Sequence, residues 1–185
     1  MTWATTLAKA DGGAPPFVRA VLESGTSPKL LTLVMIDDGK RVLLGHKKRG
    51  FGMGYYNGFG GKVEPGETIR QAAERELQEE ACIEAVDLRE AGVLVFAFDD
   101  QPVAWEVHVF AASSFRGEPA ETDEMRPVWF NHEDVPFEQM WADDQFWYPL
   151  LLRRAYFRGV FAFTQTTQLL WHSLTERDPG DEGCP

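Results

Sequence analysis

Glu76, Glu79 and Glu80 stand three and four residues apart in the stretch 68–81, the spacing at which a helix gathers side chains on one patch of its surface. Turning about 100° per residue from Ile69, Ile69, Ala72, Ala73 and Leu77 form an apolar arc. Glu76 and Glu80 fall inside this arc and Glu79 lies at its edge. An ordinary acidic amphipathic helix would turn Glu76 and Glu80 outward. Like charges at i, i+4 repel and part-buried unpaired carboxylates are costly, so the arrangement asks for a cation. Oxygen-only ligands suit Mg²⁺, or Mn²⁺ as a substitute, better than zinc. Just ahead, the segment Asn57-Gly58-Phe59-Gly60-Gly61-Lys62 frees carbonyl and N–H groups to approach a metal or a phosphate. Five of the 18 basic residues, Lys40, Arg41, Lys47, Lys48 and Arg49, fall within ten positions beside glycines 50, 52 and 54, a local field suited to a small polyphosphate.

The elements that must position these groups are legible from pattern. Thr68 with Gln71 three residues later is a capping box, which opens a helix over 68–81. A second helix is predicted over 144–156. Short runs rich in β-branched and aromatic residues predict strands at 30–36, 41–46, 90–98, 103–112, 126–131, 159–164 and 168–174, with a tight hairpin at residues 37–40. Many strands, two helices and no βαβ alternation indicate the α+β class, a mixed sheet with helices on its faces. Residues 1–28 are rich in glycine and proline and read as a flexible extension outside the core, as does the tail 177–185, leaving one domain over 29–176.

Composition excludes several classes. The chain has 185 residues, 44% hydrophobic and 25% charged, a globular composition with a sizeable core expected. No apolar run approaches the roughly 18 residues of a membrane span, and residues 1–28 do not read as a secretory signal. The formal charge of −11 leaves no basic footprint for stable nucleic-acid binding. Two cysteines, Cys82 and Cys184, make neither a disulfide framework nor a zinc site alone, which fits a reducing compartment. The expectation is a cytoplasmic monomer, with a mitochondrial or nuclear fraction compatible. His46 and His108 stand in no metal-ligand spacing and read as structural.

Gly61, Glu67, Arg75, Glu76, Leu77, Glu79, Glu80 and Ile83 together form a pattern over 23 residues that resembles the Nudix box, departing from it only where Cys82 replaces the second glycine. A left-handed helix cap prefers glycine, so a β-carbon there costs about 1 kcal/mol or lets the helix run on. The resemblance implies a Nudix-type α/β/α sandwich with a mixed β-sheet. It also implies metal carboxylates Glu76, Glu79 and Glu80, a Gly60 carbonyl beside them, and a Glu67–Arg75 pair holding loop to helix. Glu124 resembles a further metal ligand or base.

From about Leu30 to Glu176 the chain is similar to the oxidised purine nucleoside triphosphate hydrolases of the Nudix superfamily, the MutT-homologue type. The likeness is carried by residues 41–45, 47–52, 57–62, 123–127, 141–144 and 157–159. It implies hydrolysis of 8-oxo-dGTP or 2-hydroxy-dATP to monophosphate and pyrophosphate, which sanitises the nucleotide pool. A purine pocket is implied from Thr32, Phe51, Asn57, Phe96, Met125, Trp141, Asp143, Asp144, Trp147 and Phe163, with phosphate contacts from Lys47 and the backbone of Phe59, Gly60, Gly61 and Lys62. Trp105 stands at the pocket rim where the family often has methionine. For Phe96 and Phe163 core packing is the competing use, and for one of Asp143 and Asp144 it is helix capping. Two other readings stay open: a Nudix hydrolase of another nucleoside-diphosphate-linked substrate, and a non-catalytic Nudix-fold binding module. The second usually lacks box carboxylates that are all present here.

Overall fold

Strands β1 (Lys29–Asp37) and β2 (Arg41–Lys47) leave their shared hairpin as paired neighbours and then part. In this computed structural model, which describes residues 13–177, they pair only at Ile36↔Leu43 and Asp37↔Val42. The turn between them is built by the Asp38 carboxylate, which accepts from the N–H groups of Lys40 and Arg41, and by Gly39 at φ 90°. Beyond that point the chain of residues 58–63 slips between the strands. Val34 and Phe59 exchange N–H···O bonds, Thr32 N–H donates to Gly61 and Val63 N–H to Leu30. β3 (Tyr56–Asn57) and β8 (Met125–Asn131) take the two edges of β2. This parting of β1 from β2 opens the cavity described below.

On its other edge β1 runs parallel to β6 (Trp105–Ala112), which pairs antiparallel with β5 (Arg89–Phe98). β5 is parallel to β9 (Tyr156–Thr164), and β10 (Gln168–Arg177) closes the edge antiparallel. The sheet is therefore mixed. A separate ribbon pairs β4 (Glu84–Ala85) with β7 (Phe115–Arg116).

Side-chain alternation divides the sheet into two buried faces. Leu94, Val107, Val109 and Ala111 pack against helix α3 (Asp144–Leu152) through Trp147, Tyr148 and Leu151. Val34, Ile36 and Phe110 meet α2 (Ile69–Ala81) through Ala73, Leu77 and Ala81. On that second face lies also α1 (Pro16–Glu23), which buries Val18 completely against Val95, Ala97, Val160 and Ala162. Residues 16–23 are thus not an extension outside the core. The prolines that read as breakers start the helix, because Pro16 at the first helical position has the φ a helix needs and lacks only an N–H that would have no partner. Residues 1–12 and 178–185, including Cys184, lie outside the described residues.

The α3 helix ends at Leu152 rather than 156. Arg154 adopts φ 59°, its N–H donates to Leu151 and that of Ala155 to Leu150, a Schellman closure that turns the chain into β9 early. Starting β9 at Tyr156 puts Phe157 in the core, stacked on Trp147. Among the described residues no helix is long and apolar enough to cross a membrane.

Candidate active site

Helix α2 presents its carboxylates where the pattern places them. Thr68 caps it by accepting from Gln71 N–H while the Gln71 side chain accepts from Thr68 N–H. Cys82 takes the left-handed conformation at φ 61°, ψ 25°, its N–H on Gln78 O, so the helix stops where a glycine would stop it. Gly61 lies against the far side of the Glu76 carboxylate so closely that a β-carbon would overlap it, and Gly60 lies the same way on the Thr32 carbonyl. These two glycines are needed for close approach rather than for unusual dihedrals.

Glu67, Glu76, Glu79, Glu80 and Glu124 each meet a cation of the chain itself. Arg75 donates twice to Glu67, at 3.1 and 2.8 Å, to the Lys62 carbonyl at 3.1 Å, to Glu76 at 2.9 Å and to Glu79 at 3.3 Å. Lys47 Nζ bridges Glu80 at 2.9 Å and Glu124 at 2.5 Å, and Gly60 N–H donates to the other Glu80 oxygen. Hydrogen bonds from Arg75 hold Glu67 below its usual range, and the Lys47 ammonium does the same for Glu124. Burial pushes Glu76 and Glu80 up in spite of Arg75 and Lys47. Among the described residues no three carboxylate, imidazole or thiol groups converge on a metal position as they stand. The donor set is nonetheless all carboxylate oxygen on one wall, with Glu80 only 3% exposed, and its chemistry fits a hard divalent cation.

That wall is one end of a cavity of about 590 Å³, which runs from the carboxylates to an aromatic end. There Phe51 stacks on Trp141 with centroids 5.0 Å apart and planes at 12°, and Trp105 meets Phe51 edge-on at 4.8 Å. Asp143 and Asp144 close this end, 3% and 2% exposed. Trp147 Nε1–H donates to Asp143 at 2.9 Å and Trp141 N–H to Asp144 at 3.1 Å. Asp143 occupies the N-cap position of α3 without a capping bond, so capping does not account for its side chain. Burial raises both carboxyls, Asp144 further because Asp143 is its neighbour. Thr32 Oγ1 and Trp105 Nε1 are buried in cavity-lining residues with no hydrogen-bond partner.

The cavity brings together Thr32, Lys47, Phe51, Asn57, Gly60, Gly61, Lys62, Arg75, Glu76, Glu79, Glu80, Phe96, Glu124, Met125, Trp141, Asp143, Asp144, Trp147 and Phe163. Phe163 does both jobs, lining the cavity and packing in the core. Phe59 and Glu67 do not line it. The Phe59 ring is fully buried beneath α2, and its N–H and carbonyl are both spent on Val34, which leaves no backbone group for phosphate. Glu67 acts on Arg75 alone and on the N–H of Glu64. Sequence reasoning missed the apolar floor of Leu31, Leu33, Leu94, Phe98 and Val107. Strand alternation is the signal for Leu94, Phe96 and Phe98, which share one face of β5. His108 is structural: burial alone would lower its pKa, but hydrogen bonds to Glu106 and Glu90 hold it up at about 9.

Residues 28–151 match the NUDIX domain. The oxidized purine nucleoside triphosphate hydrolase of Danio rerio is 51% identical over 148 residues, 80% of this chain and 95% of that one. The protein of the same name from Mus musculus is 46% identical over 153 residues, covering 83% and 98%. A solved structure of the mutator protein MutT from Bacillus halodurans superposes with a TM-score of 0.71 at 27% identity, over 79% of this chain and 97% of that chain. With the family pattern spanning most of the chain and the carboxylate helix facing a cavity, this chain belongs to the NUDIX family.

Proposed function

We propose that this chain hydrolyses oxidised purine nucleoside triphosphates, of the 8-oxo-dGTP and 2-hydroxy-dATP class, to the monophosphate and pyrophosphate with Mg²⁺, for which Mn²⁺ can substitute. The observation that carries the reading is the single cavity joining four carboxylates to a buried carboxyl pair walled by aromatic rings, in a chain about half identical to hydrolases of that name. Glu76, Glu79, Glu80 and Glu124 would hold the metal, with the Gly60 carbonyl beside them. A bound divalent cation supplies charge neutralisation for the triphosphate and a lowered pKa for the attacking water.

The rest is done by the chain. Arg75, clamped by Glu67, fixes the orientation of Glu76 and Glu79. A carboxylate of the cluster accepts the proton from water. Lys47 neutralises phosphate oxygens, and the backbone of Gly61 and Lys62 approaches them. Phe51, Trp105 and Trp141 enclose the base and exclude water, while Asn57 offers it both a donor and an acceptor. An ionised carboxylate only accepts a hydrogen bond, so one of Asp143 and Asp144 keeps its proton and donates while the other accepts. The chain works as a monomer on free nucleotide in a reducing compartment such as the cytoplasm, without stable nucleic-acid binding, in keeping with its charge of −11.

The test is nucleoside monophosphate formation with Mg²⁺, with pyrophosphate release followed alongside for the triphosphates, across normal and modified purine triphosphates, dinucleotides and capped RNA. Modified purine triphosphates should lead by at least about tenfold in kcat/KM, about 1.4 kcal/mol. Equal turnover of unmodified dGTP, or a dinucleotide in first place, would overturn the assignment.

A further inference from the structure

The two cations that hold the carboxylate cluster are anchored differently. Arg75 has Nε and Nη2 committed to Glu67 and the Lys62 carbonyl, so only Nη1 attends Glu76 and Glu79, and the guanidinium is a fixture. Lys47 has no such anchor. Its backbone is fixed at the end of β2, where it pairs with Met125 and exchanges bonds with Tyr55 and Gly54. Its ammonium, at the end of four rotatable methylenes, bonds only to Glu80 and Glu124 among the described residues. Lys47 also lines the cavity, and its side chain is 14% exposed.

We propose that Lys47 is a resident counter-ion of this cluster, one that a divalent cation must displace, and that the displaced ammonium turns into the cavity to meet phosphate. The inference rests on the metal-holding reading above. Glu80 is the most buried of the cluster's carboxylates and among the described residues keeps just one other donor, Gly60 N–H, so without a metal it needs the ammonium. A divalent cation on the same oxygens makes that ammonium a close like charge in a poorly solvated wall, where repulsion is strong. Released, it becomes a donor for phosphate. Metal and triphosphate then favour each other's binding reciprocally, because each removes a cost that the other would face alone.

Mn²⁺ binding, followed by electron paramagnetic resonance of the free ion without nucleotide, tests this in the full-length protein and in Lys47→Gln. The variant should bind Mn²⁺ about tenfold more tightly, within the usual range of coupling between sites. A non-hydrolysable triphosphate analogue should tighten Mn²⁺ on the parent protein more than on the variant. Equal or weaker Mn²⁺ binding by Lys47→Gln overturns the role of Lys47 while leaving the metal site standing. Absence of Mn²⁺ binding to both proteins sinks the metal reading and this inference with it. A second measurement needs no substitution: the Lys47 Nζ resonance of the ¹³C,¹⁵N-labelled parent protein, detected through its non-exchanging Hε protons, should shift with Mg²⁺ alone. An unmoved signal at saturating Mg²⁺ overturns the displacement.

Discussion

The two ends of the cavity use the same functional group to opposite effect. At the α2 end Glu67, Glu76, Glu79, Glu80 and Glu124 are each within ion-pair reach of Arg75 or Lys47. At the α3 end, Asp143 and Asp144 are both buried as deeply as Glu80, next to one another, and among the described residues neither has a cationic partner. Among the described residues their donors are an indole N–H and a backbone N–H. Burial opposes charge in both places, but only the first supplies a countercharge that works against it. On the proposed function, one end would therefore attract cations and, through them, phosphate. The other would keep a proton and so read donors and acceptors on an uncharged base.

The largest expected effect breaks the first end. Glu80→Gln keeps the shape and the Gly60 N–H bond but removes one negative charge, and should cut kcat by at least about 100-fold with the fold intact by circular dichroism. Excess chelator should abolish turnover in the parent protein. Parent-level turnover in either experiment would mean that the α2 carboxylates only organise the loop.

A smaller effect sharpens the contrast at the other end. Asparagine supplies a permanent donor and acceptor without ionising, so Asp143→Asn and Asp144→Asn should shift the kcat/KM ratio between oxidised dGTP and hydroxylated dATP by about tenfold, unequally, and leave Mn²⁺ affinity unchanged. Stability gives an independent readout. With folded-state pKa values raised above the unfolded one, the native chain holds more protons, so the pair's contribution is present below about pH 4 and is lost as pH rises through the raised values. Asp144→Asn should flatten the fall in Tm between pH 5 and 8 by roughly 2–4 °C. Unchanged substrate ratios and pH slopes in both variants would reduce the pair to packing.

The α2 end was more legible in the sequence than the α3 end or the frame between them. Its three helix carboxylates, its clamp Glu67–Arg75 and its capping box sit within 23 residues, so helical periodicity and short loop spacing put them together. The Lys47 bridge to Glu124 spans 77 positions and exists only because β2 and β8 pair in register. The same limit explains Phe59: a phenylalanine among glycines reads as an approach loop, but antiparallel pairing with Val34 sends its ring into the core. Trp105 reaches the aromatic end because it faces Phe96 across β5 and β6. Two-residue strands such as β3, β4 and β7 are too short to show a period at all. Helix α1 was hidden by its own start signal, since Pro15-Pro16 marks either a break or a beginning.

The smallest effect concerns the point where α2 leaves the site. Cys82 is exposed and sits at φ 61°, where a β-carbon crowds the backbone and glycine does not. Relief of that crowding is worth about 1 kcal/mol, and the greater freedom of glycine in the unfolded chain takes back part of it. Cys82→Gly should therefore raise stability by a few tenths to about 1 kcal/mol, seen as a higher denaturant midpoint at unchanged m. Turnover should stay at the parent level, because Glu76, Glu79 and Glu80 are held by Arg75, Lys47 and Gly60 and not by the cap. A gain in stability with a loss of activity would show that the strained cap tunes the carboxylate end. A lower midpoint would show that the Cys82 side chain contributes more to stability than its dihedral costs.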